Sequence, residues 1–307
     1  MMITCLTGGV GGAKLALGLS RIVPVDRLTF VANTGDDFEF LGLRISPDVD
    51  TLIYTLAGRV NPETGWGLAG DTFRCLEAAK ARGLNLWFRL GDLDLGTHLW
   101  RSELLRQSRP LGEVVTALAQ SFAVQNRILP ATEAYVPTYV RAGQDRLHLQ
   151  EYFVRELCQP RVDAIEYQGA ERSLPAPGVL DALATARLVV IAPSNPLISI
   201  DPILAIPGIR EALQARKGRV VAVSPIVAGK ALKGPAAKML EELGIGASAD
   251  AVARHYGGLI DTFVVDEQDR ELAPKIERLG VRAIVADTIM NSLDDKVRLA
   301  KVVVGRL

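Results

Sequence analysis

Cysteine is scarce in this chain: there are three, Cys5, Cys75 and Cys158, widely separated and without Cys-x-x-Cys spacing. That excludes a disulfide framework or a zinc ribbon, and it predicts inert buried thiols in a reducing, cytoplasmic setting. An excess of one charge is also missing, since Lys plus Arg and Asp plus Glu each number 35. Nucleic-acid and anionic-membrane partners usually leave a basic excess, so neither is expected. No uninterrupted apolar run approaches the roughly 20 residues that cross a bilayer, and Met1-Met2-Ile3-Thr4-Cys5 carries no basic leader. Internal repeats and low-complexity tracts are absent. What is present, 49% hydrophobic and 23% charged over 307 residues, is the composition of a globular enzyme with one large domain or two moderate ones.

Apolar, β-branched runs recur at 3–6, 28–33, 188–193, 220–225, 262–267 and 281–287. Runs this apolar read as strands buried on both faces, hence a parallel sheet covered by helices. Helical patterns follow at 12–21, 207–216, 234–243, 270–279 and 292–305. The alternation predicts a Rossmann-like, doubly wound α/β fold. Residues 60–130 read as mostly helical, with a short strand at 86–92. Alternating runs between 134 and 168 suggest a small antiparallel sheet. The expected organisation is a nucleotide-binding core of 1–59 and 176–307, with 60–175 inserted as a mixed cap or dimerisation subdomain over the carboxyl ends of the strands. "LPATE" (129–133) would then be a hinge or lid.

The first strand runs into "TGGVGGAKL". Gly9 and Gly11 match the first two glycines of a dinucleotide fingerprint, but at its last position Lys14 replaces Gly or Ala. Against a P-loop, Lys14 fits, but Ala13 and Leu15 replace the glycine and the Mg-binding Ser/Thr. Glycines still let backbone approach an anion at a helix start, and Lys14 adds a charge there. A plain tight turn is the alternative. After the second strand, Asp36, Asp37, Glu39, Asp48 and Asp50 crowd one connection. One of them would cap the helix at 51–56. Several acids facing a phosphate make sense with a divalent cation between them, and Asp37 and Asp48 are the metal candidates. One acid could serve as a base. Solvated loop charges are the competing account. His98 and Arg101 lie three apart on a helix and could meet an anionic group, a structural pair being the plainer reading. His148 and His255 lack partners at metal spacing. Gly229, Lys230 and Gly234 mark a second loop that could reach a ligand.

"TGGVGGAKL", "NTGDD", "ISPDVDTLIYTL", "RLGDLDLGTHLWRS", "APSNPLISIDPILAIPGIR" and "SPIVAGKALKGPA" occur in this order along essentially the whole chain. In these segments the chain closely resembles the 2-phospho-L-lactate transferase family of coenzyme F-420 biosynthesis, including its bacterial phosphoenolpyruvate-using members. The resemblance implies a Rossmann-like, Mg²⁺-dependent and typically dimeric transferase. Such an enzyme moves a phospho-acyl unit (phospholactate, phosphoenolpyruvate or 3-phosphoglycerate) from a GDP-activated donor, such as lactyl-2-diphospho-5'-guanosine, to the terminal ribityl hydroxyl of the deazaflavin Fo. GMP leaves. By position, Asp50 and Arg89 match residues that contact Fo. Gly8, Gly9, Gly11, Gly12 and Lys14 match the nucleotide-phosphate loop, and Ser194 and Asn195 fall where the guanosine nucleotide also binds. Asp50 is then the first candidate to orient or deprotonate the attacking hydroxyl, and Arg89 could stack on the deazaflavin or grip its carbonyl edge, unless it pairs structurally with Asp92. Two other classes compete. A nucleotide-sugar-binding regulator of the gluconeogenesis-factor type would use the same loop without a deazaflavin pocket. An NAD(P)-dependent oxidoreductase would leave the extra carboxylates unused.

Overall fold

The computed structural model describes residues 1–216, 219–232 and 234–305. Seven parallel strands form the central sheet: β1 (Ile3–Thr7), β2 (Leu28–Ala32), β3 (Arg127–Pro130), β4 (Leu188–Ile191), β5 (Arg219–Val223), β6 (Thr262–Asp266) and β7 (Arg282–Ala286). Their spatial order is β7-β6-β5-β4-β1-β2-β3. The chain winds outward from β1 through β2 to β3, then returns to the other side of β1 and winds out through β4 to β7. This reversal opens a crevice above the carboxyl ends of β1 and β4, where open α/β sheets bind ligands.

Side chains alternate between two cores, as the two-residue period of a strand requires. Leu28, Phe30 and Ala32 of β2, with Ile3 and Cys5 of β1, enter one apolar cluster, while Val31 and Leu6 enter the other. The first cluster packs beneath α1 (Gly9–Ile22), α2 (Pro47–Leu56), α4 (Leu111–Ser121) and α5 (Leu293–Val304); α3 (Asp92–Arg106) stands beside the crevice. Gly18 of α1 has a structural reason to be glycine: a Cβ there would overlap the Lys296 carbonyl oxygen of α5. The small antiparallel sheet is present as Thr138–Ala142, Asp145–His148 and Ala164–Tyr167.

Three local expectations are corrected. Residues 86–92 form no strand: 86–90 are irregular, and Asp92 opens α3. Their apolar character goes instead into a separate cluster, where Leu86 and Leu90 join Phe38, Phe40 and Ile45, with Trp87 and Phe88 packed against them. "LPATE" is no hinge. Leu129 and Pro130 belong to β3 and pair with Val31 and Ala32, and Ala131 N–H donates to the Ala32 carbonyl. A four-residue edge strand between helical segments carries too short a pattern to stand out, so the expected six-stranded sheet has seven strands. Cys75 is exposed rather than buried. Lys233, inside the second loop singled out above, lies outside the described residues.

Replacing Gly18 by Val is expected to force α1 and α5 apart and destabilise the protein by roughly 1–3 kcal/mol. Thermal unfolding reads this as a lowered Tm. An unchanged Tm would show that the two helices separate without cost.

Candidate active site

The crevice is assembled by short continuations of the sheet. Asn33 N–H bonds the Thr7 carbonyl, and Ala192 N–H bonds the Leu6 carbonyl, so the segments after β1, β2 and β4 meet. Ser194 Oγ donates to the Gly8 carbonyl (2.6 Å) and accepts from Gly8 N–H (3.2 Å). A Cβ at Gly8 would overlap Asp48 Oδ2, one at Gly11 the Pro193 carbonyl and one at Gly12 the Thr7 and Ser194 hydroxyls. The glycines therefore serve close approach between backbone segments, and Gly9 also sits at φ +64°. Above them lies a cavity of about 600 Å³, lined by Gly8, Gly9, Gly11, Lys14, Asp36, Asp48, Asp50, Arg89, Ser194 and Asn195 among others.

Most of the residues singled out by sequence thus share one cavity, each held in a distinct way. Lys14 Nζ donates to the Met290 carbonyl at 2.7 Å. Asn195 Oδ1 accepts from Leu197 N–H and caps the turn Pro196–Ile200. Arg89 is exposed at the mouth, its guanidinium 4.2 Å from the centre of the Phe73 ring. Gly12 packs behind the loop and does not line the cavity. Asp37 also stands outside the lining: it accepts from Ser46 Oγ at 2.8 Å and lies 4.0 Å from Arg44. His148 is a structural residue, its Nε2 3.2 Å from the Asp37 carbonyl and its Nδ1 accepting from Gln150 N–H. His255 pairs with Asp201 at 2.7 Å.

Neither aspartate of "PDVDT" caps its own helix. Ser46 occupies the cap position of α2 but spends its hydroxyl on Asp37. Asp48 reaches instead to the start of α1, accepting from Gly9 N–H (2.6 Å) and from Asn33 Nδ2 (2.9 Å). Asp50 accepts from both terminal nitrogens of Arg101, an arginine with no exposed surface. Pro47 begins the helix without an N–H to satisfy, which leaves these side chains available for tertiary partners.

The electrostatics follow from burial. Burial pushes Asp36 well above the usual carboxylate range, and the charges of Asp48 and Asp37 push it further. Burial raises Asp48 as well, opposed by its bonds to Asn33 and Gly9. For Asp50 burial is opposed by Arg101 and His98. Asp37 is pushed up to about 7 by burial, against Arg44 and Ser46. Asp94 is half-buried, and His98 and the Tyr54 hydroxyl bring it below its ordinary value. The Asp50, Asp94 and His98 ligand atoms lie within 4.8 Å of one another and could hold a metal ion. Asp36 lines the same cavity, and its Oδ1 is buried with no partner among the described residues.

The sequence profile of the family described as 2-phospho-L-lactate transferase CofD matches residues 3–303. This chain belongs to that family. Among its relatives, a phosphoenolpyruvate transferase of Streptomyces griseus is 40% identical over 98% of this chain and 96% of its own length. A 2-phospho-L-lactate transferase of Methanosarcina acetivorans is also 40% identical, over 98% and 97%. In solved structures the fold recurs in a UPF0052-family protein of Bacillus halodurans, with a TM-score of 0.64 at 16% identity over 98% of this chain and 97% of that one. As a member of the 2-phospho-L-lactate transferase family, the chain brings residues to the cavity that the motifs did not assign. Asp94, Tyr54 and the aromatic wall of Trp66, Phe88 and Phe153 are among its lining. The spacing Asp94…His98…Arg101 on one helix was the available signal for the first of these.

Asp37 takes up its proton at a higher pH in the folded protein than the ordinary carboxylate value of about 3.9. Its contribution to stability is therefore fully present below that value and is lost as pH rises through about 7. The Asp37→Asn variant does not ionise there, so its Tm relative to the parent is expected to rise between pH 4 and pH 8. Thermal melts across that range check the sign; a difference that stays flat, or falls, would be incompatible with a raised Asp37.

Proposed function

We propose that the chain transfers a phospho-acid unit from a guanosine-diphosphate-activated donor to the terminal ribityl hydroxyl of the deazaflavin Fo, releasing GMP, in coenzyme F-420 biosynthesis. One observation carries the reading: the glycine loop, the carboxylates of the second β-α unit and an aromatic wall line a single cavity. An oxidoreductase of this fold has no use for Asp48 and Asp50 beside the loop. A transferase needs them, because phosphoryl-type transfer depends on positioning and charge neutralisation.

In this reading the donor diphosphate lies against the start of α1, where the loop backbone and the helix dipole favour anions. Ser194 and Asn195 border the same pocket from β4. Fo enters from the side of Arg89, Phe88 and Trp66, whose flat groups suit a planar ring system. Asp50 orients the acceptor hydroxyl and takes its proton as the oxygen–phosphorus bond forms. The bond from that phosphorus to the GMP phosphate breaks, and GMP carries away the electron pair. Residues 60–175 contribute Trp66, Phe88, Arg89, Leu149 and Phe153 to the lining, which supports a cap over the carboxyl ends of the strands, with β3 inserted into the core. A homodimer in the cytoplasm belongs to the same proposal.

The donor set fits a divalent cation. Asp36 and Asp48 face one another beside the loop, and Asp36 Oδ1 has no partner among the described residues. These two residues would hold Mg²⁺, which neutralises charge on the diphosphate oxygens when bound. The Asp50, Asp94 and His98 group fits it less well, because Arg101 already engages Asp50 and Mg²⁺ prefers oxygen ligands to imidazole. Phospholactate and phosphoenolpyruvate each place a carboxylate next to a phosphate ester. The donor class is therefore a guanosine-diphosphate-linked phospho-acid of that kind.

Mass spectrometry of reactions containing Fo, Mg²⁺ and each candidate donor is expected to show GMP and an Fo phosphodiester. The Asp50→Asn enzyme is expected to lose about 10²–10⁴-fold in kcat. Absence of any adduct, together with thermal stabilisation by NAD or a UDP-sugar but not by GDP or Fo, would overturn the reading. Near-normal turnover of Asp50→Asn under saturating Mg²⁺ would remove Asp50 from its role.

A further inference from the structure

At the cavity wall, α2 and α3 share a row of buried and half-buried polar groups, of which Asp50, Tyr54, Asp94 and His98 line the cavity and Arg101 lies behind them. Arg101 is fully buried. Its Nη1 donates to Asp50 Oδ2 at 3.1 Å and its Nη2 to Asp50 Oδ1. The same Nη1 lies 3.3 Å from His98 Nδ1. A guanidinium only donates, so Nδ1 accepts and the imidazole proton sits on Nε2. That nitrogen faces Asp94 Oδ2 at 3.4 Å. The other oxygen of Asp94 accepts from the Tyr54 hydroxyl at 2.8 Å, and Thr97 Oγ1 lies 2.9 Å from that hydroxyl.

This row is an expensive way to hold two helices together. Replacing a buried ion pair by apolar side chains of similar volume is often neutral or stabilising. Arg101 Nε, moreover, is buried without a partner among the described residues. The satisfied donors of Arg101 are Nη1 and Nη2, which form the fork toward Asp50; Nη1 also lies 3.4 Å from the Arg44 carbonyl. Asp50 itself lines the cavity while Arg101 does not.

We infer that Arg101 is a positioning residue for Asp50 in the transfer reaction proposed above, a role that rests on that reading. Its planar fork occupies one lone pair on each carboxylate oxygen and fixes the plane of the carboxylate. The remaining lone pairs are left for the acceptor hydroxyl. His98 restrains the guanidinium by accepting from Nη1, while Asp94, held by the Tyr54 hydroxyl, faces the other ring nitrogen of His98. A lysine at this position would supply the charge but not the fork, because an ammonium acts as a single point charge.

Steady-state kinetics on the full chain, with Fo and the activated donor, tests this. Arg101→Lys is expected to lower kcat by about 10²-fold, as a misplaced catalytic group does, while the KM for Fo shifts by less than about threefold. In an Asp50→Asn background the same substitution is expected to change the residual kcat no further, since Arg101 acts through Asp50. Multiplying effects, or a full kcat in Arg101→Lys, would overturn the inference. Should Arg101→Lys fail to fold, His98→Gln carries the same test: its loss of kcat must also vanish in the Asp50→Asn background, and an additive loss would overturn the role. If the parent enzyme makes no adduct, the transfer reading itself falls. If the parent turns over and Arg101→Lys is unaffected, only the positioning role falls.

Discussion

The site is organised around what Asp48 accepts. One carboxylate, at the start of α2, takes the Gly9 N–H that opens α1 and the Asn33 amide that follows β2. Asn33 also donates to the Ile198 carbonyl at 3.1 Å, in the turn that follows β4. Four segments from distant parts of the chain are thereby tied at one point above the switch in the sheet. The glycines are the counterpart of this knot: a methyl group at position 8 would occupy the space of the Asp48 oxygen. The crevice between β1 and β4 would exist in any sheet of this order. Its lining by carboxylates depends on Asp48 being drawn across it.

Concentrating acids in a buried crevice is costly, because burial disfavours the charged form. Asp36, Asp37, Asp48 and Asp50 are all buried, and burial raises each of them. The protein answers in two ways. Asp50 is given a full guanidinium, and Asp37 is given Ser46 with Arg44 nearby. Asp36 and Asp48 are given each other, which leaves one carboxyl oxygen unpaired. Groups that protein partners compensate only partly are the ones a bound cation or phosphate would complete. Asp37 Oδ1 is likewise buried without a partner among the described residues, but Asp37 lies outside the cavity lining, its other oxygen held by Ser46.

Much of the architecture was legible from residue pattern. All six strand runs named from apolar, β-branched composition are strands of the central sheet, because strands buried on both faces are nearly continuous in apolarity. The glycine loop and the acids were legible because they follow strands. The misreadings have physical causes. "LWFRLGD" looks like a strand, yet its aromatics serve a side cluster with Phe38 and Phe40, and apolarity does not say which surface is being covered. "RILP" was missed as a strand because four residues ending in proline are tolerated at a sheet edge but signal nothing alone. The role expected of one aspartate as a helix cap failed because capping is the local option, and here a stronger long-range partner was available to both.

A resemblance of whole motifs named the family; residue pattern determined the class of fold, the order of six of the seven sheet strands, and that a glycine loop and an acidic connection follow the first two strands. These are properties of periodicity, composition and local spacing, which a linear chain carries in full. Tertiary structure decided how those groups meet. Gly9 and Asp48 are 39 residues apart, Gly8 and Ser194 186, and Asp50 and Arg101 51. A hydrogen bond acts over about 3 Å, so partners separated by that much chain become neighbours only after the sheet has formed and the helices have packed. That is why the sequence could name Asp48, Asp50 and Arg101 as candidates, while only the folded chain could show that one aspartate holds the loop and the other is held by the arginine.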